Sequence, residues 1–339
     1  MLTLSLRREF SANMITTLPS CQNAGRQGVR PINLRRDTYQ VLQLLDIAFG
    51  SELDAENRRS LQRSLIMASQ PWYQPLVFPP GMALPGFVWE EDDSIVGNVS
   101  IMQTQEVGRY IIANVAVHPR WRRRGIAHQL MQTALSHLAG KRAHTIMLQV
   151  KQHNQAAREL YLRLGFREIG AVTSWCGTPP YIRNLPLFEG GPTIRPLRHR
   201  EWHAAYTLDL ASMPADLNWP DPLRYDTYKT GLWASLKNFA NGRQVEHWAT
   251  SNSADRLTGL ASIYSEWQRS HIVTLRIHPD SRGQLERYLL AKALRRLAYL
   301  PQRQVRLDHP ADDALMNQLL QEAQFRSQRT LIVMRLDLG

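Results

Sequence analysis

The stretch Arg122-Arg123-Arg124-Gly125-Ile126-Ala127 decides how the surrounding residues fold. It lies between an apolar segment that ends near Val117 and an amphipathic segment that begins near Arg124, and it predicts a basic turn from a strand into a helix. The first N–H groups of a helix have no acceptor within the helix, the helix dipole adds positive charge, and a small residue lets a ligand approach the backbone. Such a turn attracts a pyrophosphate group, although a glycine that caps a helix at a basic surface gives the same pattern.

The segments on either side of this turn predict a mixed α/β domain. Downstream, apolar residues recur at helical spacing, at Ala127, Leu130, Met131, Ala134, Leu135 and Leu138. A strand, a helix and a strand are predicted after them, at Thr145 to Val150, Asn154 to Leu164 and Phe166 to Val172. Upstream, two helices and three antiparallel strands are predicted, at Thr38 to Phe49, Ala55 to Ala68, Phe87 to Trp89, Ile95 to Met102 and Tyr110 to Val117. This order makes the strand at 145–150 parallel to the strand at 110–117.

A second copy of the pattern follows in the same chain. Ile194-Arg195-Pro196 repeats Val29-Arg30-Pro31, His278-Pro279 repeats His118-Pro119 at an offset of 160 residues, and Leu319 to Phe325 repeats Leu160 to Phe166 at an offset of 159. Pro186 to Pro192 breaks all periodicity, as is typical of a linker. The sequence therefore predicts a flexible extension at 1–28, a domain at 29–185, a linker at 186–192 and a second copy of the domain at 193–339.

Two motifs make the first domain resemble the GNAT superfamily of N-acetyltransferases. The pyrophosphate motif of that family is Gln or Arg, two residues, Gly, one residue, and Gly or Ala, and residues 122–127 match it. Its second motif, Asn-xx-Ala-xx-Leu-Tyr-xxx-Gly-Phe, is matched by Asn154, Ala157, Leu160, Tyr161, Gly165 and Phe166. The resemblance implies an α/β protein of two tandem GNAT-like domains, each a mixed, mostly antiparallel central sheet flanked by helices. It also implies a catalytic acetyltransferase domain at 29–185, with acetyl-coenzyme A as co-substrate and no metal.

The resemblance assigns roles to individual residues. Tyr161 would protonate the departing thiolate of coenzyme A, and a backbone amide next to Val117 would face the thioester carbonyl. The residues implied in binding the coenzyme are Val117, Arg122, Arg123, Arg124, Gly125, Ile126, Ala127, His128 and Asn154. Two of these residues keep a second interpretation, because Tyr161 shares a helical face with core residues and Asn154 stands where a helix N-cap belongs.

The general base and the acceptor pocket are less well defined by the sequence. Glu90, Glu91 and Glu106 are the nearest acids along the chain, but an exposed hairpin turn explains the first two without catalysis, and His118 belongs to the His-Pro that leads into the turn. Acceptor selectivity is expected from the segment Met67 to Trp89 and from the chain after Phe166. The aromatic residues there either wall an amine pocket or form core: Trp72, Tyr73, Phe78, Phe87, Trp89, Trp175 and Tyr181.

The second copy lacks the residues that would form a site. In the turn Arg282 to Arg287, Leu285 stands for Gly125, and Glu286 brings negative charge to the place of a phosphate. Leu320 replaces Tyr161, Asp313 replaces Asn154 and Gln324 replaces Gly165. A degenerate second domain and one active site per chain are therefore predicted. The alternatives are an unusual second site, or a non-catalytic acyl-coenzyme-A sensor or scaffold built from two such folds.

Composition narrows the class of protein further. The 339 residues include 41 Lys and Arg and 29 Asp and Glu, a net charge of +12, but the arginines are spread over both halves, which argues against general nucleic-acid binding. Leu2 to Leu6 precede Arg7-Arg8, the reverse of a signal peptide, and no apolar run is long enough to cross a bilayer. Cys21 and Cys176 form no CxxC pair. The sequence predicts a cytoplasmic monomer or homodimer that acts on a small-molecule or peptide amine away from membranes, with 1–28 a loose tail or the result of a misassigned start.

Overall fold

The computed structural model describes residues 27–52, 55–69, 86–218, 223–229 and 242–338. Its strands form one twelve-stranded sheet. The strands are β1 Gly28–Pro31, β2 Gly86–Glu91, β3 Ser94–Gln103, β4 Arg109–Val117, β5 Thr145–Lys151, β6 Arg167–Gly177, β7 Arg195–Pro196, β8 Arg243–Ser251, β9 Leu257–Glu266, β10 His271–Ile277, β11 Val305–Pro310 and β12 Arg326–Asp337. The helices are α1 Leu34–Phe49, α2 Ala55–Ala68, α3 Ile126–Gly140, α4 Gln155–Arg163, α5 Trp202–Ser212, α6 Glu286–Leu297 and α7 Ala314–Glu322. No helix of the described ranges is both long and apolar enough to cross a membrane.

The predicted repeat is present in the strand order, which reads β1-β2-β3-β4-β5 in one direction and β7-β8-β9-β10-β11 in the other. β5 pairs in parallel with β4, as predicted, and β11 pairs in parallel with β10. The two His-Pro pairs are also equivalent, because the Nδ1 atoms of His118 and His278 each accept a hydrogen bond of 3.3 Å from the amide two residues later. Each half therefore has the mixed sheet that the sequence predicts.

The last strands of the two halves are exchanged, which the sequence did not predict. β12 lies between β5 and β6, and β6 pairs with β11 of the second half. Ile332 and Met334 of β12 pack in the core of the first half, whereas Trp175 of β6 packs in the core of the second. The exchange joins the halves into one sheet, so the boundary predicted at 186–192 separates two stretches of sequence whose cores share strands.

Helices cover both faces of the sheet. α3 buries Leu130, Met131 and Ala134 completely against one face. On the other face, α1 buries Val41 and Leu44 against the sheet, as its predicted apolar spacing requires. This second face also receives Met213 and Leu217, which follow α5 and pack on Ile111, Met147 and Val333 of the first half.

An ion-pair network fixes the second half onto that face. Asp216 lies 3.3 Å from the guanidinium of Arg109 on β4 and 2.5 Å from that of Arg335 on β12. Only 5% of the Arg109 side chain is exposed, so its charge needs an acid partner. The second half thus forms part of the surroundings of the first half's sheet.

The stability of the second half is expected to fall in mild acid because of His247. This imidazole lies 2.7 Å from the Ser262 hydroxyl and against the rings of Tyr228 and Tyr264, and burial lowers its pKa from 6.5 to about 4. The unfolded chain therefore binds the proton more tightly, so His247's contribution is complete above pH 6.5 and is lost as the pH falls toward 4. We expect the loss to be about 2 kcal/mol.

Urea unfolding at about pH 7.5 and about pH 4.5 measures this effect. The His247→Gln variant should lose less stability between the two pH values than the wild type does. An equal loss in both proteins would show that His247 is not the group responsible.

Candidate active site

The basic turn has the backbone shape that anion binding needs. Arg123 and Gly125 have left-handed φ angles of 65° and 78°, and Gly125 is the N-cap of α3 without a side-chain hydrogen bond. Apart from Gly125 itself and its two chain neighbours, no described residue has an atom within 4 Å of the place where a Gly125 Cβ would stand, so this side of the turn is open. The N–H groups of Ile126, Ala127 and His128 have no acceptor within the helix and are available to a phosphate.

The arginines of the turn are exposed and held in different ways. The Nε atom of Arg122 donates a hydrogen bond of 3.2 Å to the carbonyl oxygen of Val117 at the end of β4. The guanidinium of Arg124 lies 4.5 Å from the centre of the Trp121 ring. The structure therefore brings the end of β4, the turn and the start of α3 to one place, as the sequence predicted.

β4 and β5 separate next to this turn. They pair only over Arg109–Ile111 and Thr145–Met147, and their remaining residues have no partner across the gap. β4 also carries a bulge opposite β3, where Asn114 has a φ of 53°. Strands that separate here leave backbone amides of β4 facing the gap, which is where a thioester carbonyl would need a hydrogen-bond donor.

Two buried polar residues of β3 secure the bulge, and the sequence analysis missed both. The Nδ2 atom of Asn98 donates to the carbonyl oxygen of Asn114 at 2.9 Å and to the Ser100 hydroxyl at 3.2 Å. Asn98 is completely buried, and Ser100 is 5% exposed. The one sequence signal was a pair of polar residues within an apolar strand. In the second half, β9 and β10 pair without a register shift, so this bulge has no equivalent there.

Replacement of Asn98 by Ala is expected to loosen the bulge. The carbonyl of Asn114 loses its buried donor, which costs about 1–2 kcal/mol of stability and lowers turnover about tenfold through the displaced β4 amides. Urea unfolding and steady-state rates measure the two effects. The matched control is Thr258→Ala on β9, which should leave turnover unchanged, and an Asn98→Ala enzyme of full activity would contradict the role.

The second motif forms α4 and its cap. The Oδ1 atom of Asn154 accepts a hydrogen bond of 3.2 Å from the amide of Ala157, so Asn154 is the N-cap that the sequence allowed. Tyr161 is only 6% exposed and packs edge-on against Phe166, with ring centres 6.1 Å apart. It belongs to the same apolar cluster as Ile126 at the start of α3, and burial raises the pKa of its phenol from 10.0 to about 12.

The exposed-hairpin explanation is wrong for Glu90, one of the three acids considered as bases. Glu90 is 2% exposed, and it forms ion pairs of 2.5 Å with Arg30 and 2.6 Å with Arg36. The two guanidiniums make burial of the carboxylate possible. Glu91 accepts a hydrogen bond from the Trp89 indole, and Glu106 lies 3.5 Å from Arg109. All three carboxylates therefore make structural contacts.

Four of the aromatic residues considered for an acceptor pocket lie in the described ranges, and three of these four are core residues. Phe87 and Trp89 are buried in the first half's core, and Trp175 is buried in the second half's core. Tyr181 is 73% exposed. Trp72, Tyr73 and Phe78 lie outside the described residues.

The turn of the second half holds its own anion. The Glu286 carboxylate is buried and accepts hydrogen bonds from the amides of Gly283 at 2.9 Å and Leu285 at 3.1 Å. Leu285 has a φ of −108° where Gly125 has 78°. A cleft of about 430 Å³ lies beside this turn, lined in part by Arg276, Arg282, Glu286, His309 and Asp313. The second half thus keeps a groove, but a carboxylate already occupies two amides of its turn.

The first half thus combines an open turn at the start of α3, two strands that separate beside it, and a helix that carries a buried tyrosine. Residues 45–166 match the model of the acetyltransferase (GNAT) family. These residues therefore form a GNAT acetyltransferase domain within the first half of the chain.

One relative and two solved structures are similar to this chain. The chain is 41% identical over 104 residues to the peptidyl-lysine N-acetyltransferase YiaC of Escherichia coli (strain K12), a match that covers 30% of this chain and 64% of that protein. A tandem GNAT protein from the clavulanic acid biosynthesis pathway has a TM-score of 0.54 at 16% identity, over 93% of this chain and 99% of that one. A GCN5-related N-acetyltransferase from Sphaerobacter thermophilus has a TM-score of 0.60 at 14% identity, over 91% and 95%. The chain therefore has the fold of tandem GNAT proteins.

Proposed function

We propose that the first half of this chain transfers the acetyl group of acetyl-coenzyme A to an amine by direct attack, with one active site per chain. The open turn at Gly125, whose helical amides have no internal acceptor, is the observation that carries the proposal. These amides and the arginines around them would hold the pyrophosphate. Asn154 would contribute near the pantetheine arm while it also caps α4.

The reaction needs three groups at the gap between β4 and β5. The neutral amine nitrogen attacks the thioester carbon, and a β4 amide near Val117 stabilises the oxyanion. When the carbon–sulfur bond breaks, the thiolate takes a proton from Tyr161, and the proton of the amine leaves to water. The raised pKa keeps the phenol protonated at neutral pH, so the proton is in place before the carbon–sulfur bond breaks.

The second half is proposed to be a degenerate copy that supports the first. Its Glu286 carboxylate occupies turn amides, its β10 lacks the bulge, and buried Leu320 stands in the place of Tyr161. A carboxylate in this position repels a phosphate. Its structural contribution is β12 and the segment around Asp216, both of which pack on the first half.

A screen of amines with acetyl-coenzyme A, monitored by release of free thiol, tests the activity. The name of the Escherichia coli relative makes a peptide lysine the first acceptor to try. Calorimetry should give one equivalent of bound acetyl-coenzyme A per chain. If no amine in the screen causes thiol release, the proposed activity is contradicted. If two equivalents of acetyl-coenzyme A bind per chain, the single site is contradicted.

A further inference from the structure

Two cationic side chains from different halves meet at the end of the sheet where β4 and β5 separate. Lys151 is the last residue of β5 and lies opposite Leu331 of β12. Arg329 lies two residues before Leu331 on β12, opposite Ser174 of β6. The two charges interact: burial lowers the pKa of the Lys151 ammonium, and the positive charge of Arg329 lowers it further.

Both side chains lie on the sheet face opposite α3. Val333 and Met147 pack together on this face, whereas Ile332 and Ile146 pack in the core with α3. Side chains alternate along a strand, so Lys151 shares the face of Met147, and Arg329 shares the face of Val333. The pairing of β12 with β6 has register shifts between Ser327 and Arg329 and between Val333 and Met334, and it is regular from Arg329 to Val333, so the alternation over that stretch is intact. The pyrophosphate turn, in contrast, belongs to α3.

Arg329 differs from Arg335, Arg109 and Arg306 of this face in its lack of an ion pair within the described part of the chain. Arg335 and Arg109 share Asp216, and Arg306 pairs with Asp308 at 2.7 Å. Arg329 has no ion pair with any described residue, and its Nε atom is buried without a hydrogen-bond partner. A buried guanidinium N–H without an acceptor is costly, and folding tolerates it where a ligand supplies the acceptor.

We propose that Lys151 and Arg329 form a binding site for an anionic group of the acceptor, so that the preferred substrate is an amine that also carries a carboxylate. The proposal rests on the proposed acetyl transfer. A guanidinium fits a carboxylate with two parallel hydrogen bonds, and Lys151 adds a second positive charge. The carboxylate would enter from the face opposite α3, so that the amine reaches the gap between β4 and β5 while coenzyme A uses the turn.

The proposed site depends on the exchanged strand β12. Arg329 belongs to the second half of the chain and Lys151 to the first, so the site exists only because β12 inserts beside β5. The second half would then take part in acceptor recognition although its own turn holds the Glu286 carboxylate.

Matched acceptors test the proposal because only the carboxylate differs within each pair. Nα-acetyl-lysine and its methylamide form one pair, and 4-aminobutyrate and 4-aminobutyramide form another. In at least one pair, the kcat/KM of the wild type should be about tenfold or more higher for the carboxylate than for its neutral partner. Arg329→Gln should abolish that preference and keep the rate for the neutral partner. Arg329→Lys should retain part of it, and Arg326→Gln, at an exposed residue of the same strand, should retain all of it.

Acetyl-coenzyme A affinity must stay unchanged in Arg329→Gln, since a parallel loss would show that the site binds a phosphate of the coenzyme and would overturn the proposal. Equal rates within every pair for the wild type would overturn it too. If no amine is acetylated, the proposed activity is contradicted. Calorimetry with glutarate then tests the Lys151 and Arg329 site independently of activity. Binding that Arg329→Gln weakens about tenfold while Arg326→Gln does not would support the site, and wild-type protein without glutarate binding would exclude it.

Discussion

Gly125→Glu is expected to abolish acetyl-coenzyme A binding, with a dissociation constant raised about a hundredfold or more. The new carboxylate would stand at the open side of the turn, beside the amides of Ile126 and Ala127, where the pyrophosphate is proposed to bind. It would repel the phosphates and compete for their donors, as Glu286 is proposed to do in the second half. Calorimetric titration with acetyl-coenzyme A measures the effect.

Two controls separate charge from backbone strain. Gly125→Ala imposes the same left-handed φ of 78° on a residue with a Cβ, which costs about 1 kcal/mol of stability, but it adds no charge and should keep most of the affinity. Gln284→Glu adds the same charge to the exposed turn of the second half and should leave the affinity for acetyl-coenzyme A unchanged. Equal affinity of Gly125→Glu and wild type would refute the assignment of this turn.

Tyr161→Phe is expected to lower kcat about a hundredfold while acetyl-coenzyme A affinity stays within about twofold of wild type. The variant keeps the ring that packs on Phe166 and removes only the proton donor. Because the phenol pKa lies near 12, the acid form is present at all lower pH values, and the wild-type rate should show no alkaline decline from Tyr161 below about pH 11. Steady-state rates across this range measure both effects.

A second tyrosine provides the control for this variant. Tyr110→Phe alters a residue that packs on the same core cluster, on a strand away from the second motif, and should retain wild-type turnover. An acyl donor with a better leaving thiol would depend less on proton donation, so a thioester of a more acidic thiol should restore part of the Tyr161→Phe rate. Unchanged kcat in Tyr161→Phe would remove the general-acid role and leave the turn assignment intact.

Local sequence predicted the elements of the first site well. The apolar stripe of α3, the glycine of the turn and the Asn154 cap each act within a few residues of their own position, so spacing alone revealed them. The helix begins at Ile126, two residues after the predicted start, because Gly125 is held in the left-handed region. The recurrence of His118-Pro119 as His278-Pro279 likewise indicated equivalent turns, since each histidine caps its own turn.

Contacts between distant residues were beyond the reach of the sequence. Glu90 looked like an exposed turn residue, and it is buried because Arg30 and Arg36 reach it from 60 and 54 residues away. The Glu286 charge was visible, but its hydrogen bonds to the amides of Gly283 and Leu285 depend on the shape of the turn. Asn98 carried only the weak signal of a polar residue in an apolar strand.

The sequence by itself predicted that this chain holds two copies of one α/β fold and that their turns differ in glycine and charge, because periodicity, glycine and charge act locally. The tertiary structure alone decided which strands complete which half. β12 could pair with either half by its own alternation of apolar residues, and the choice is made by the core that Ile332 and Met334 fill. That choice also brings Arg329 beside Lys151, a proximity between residues 178 positions apart that pairing of β12 with β5 creates.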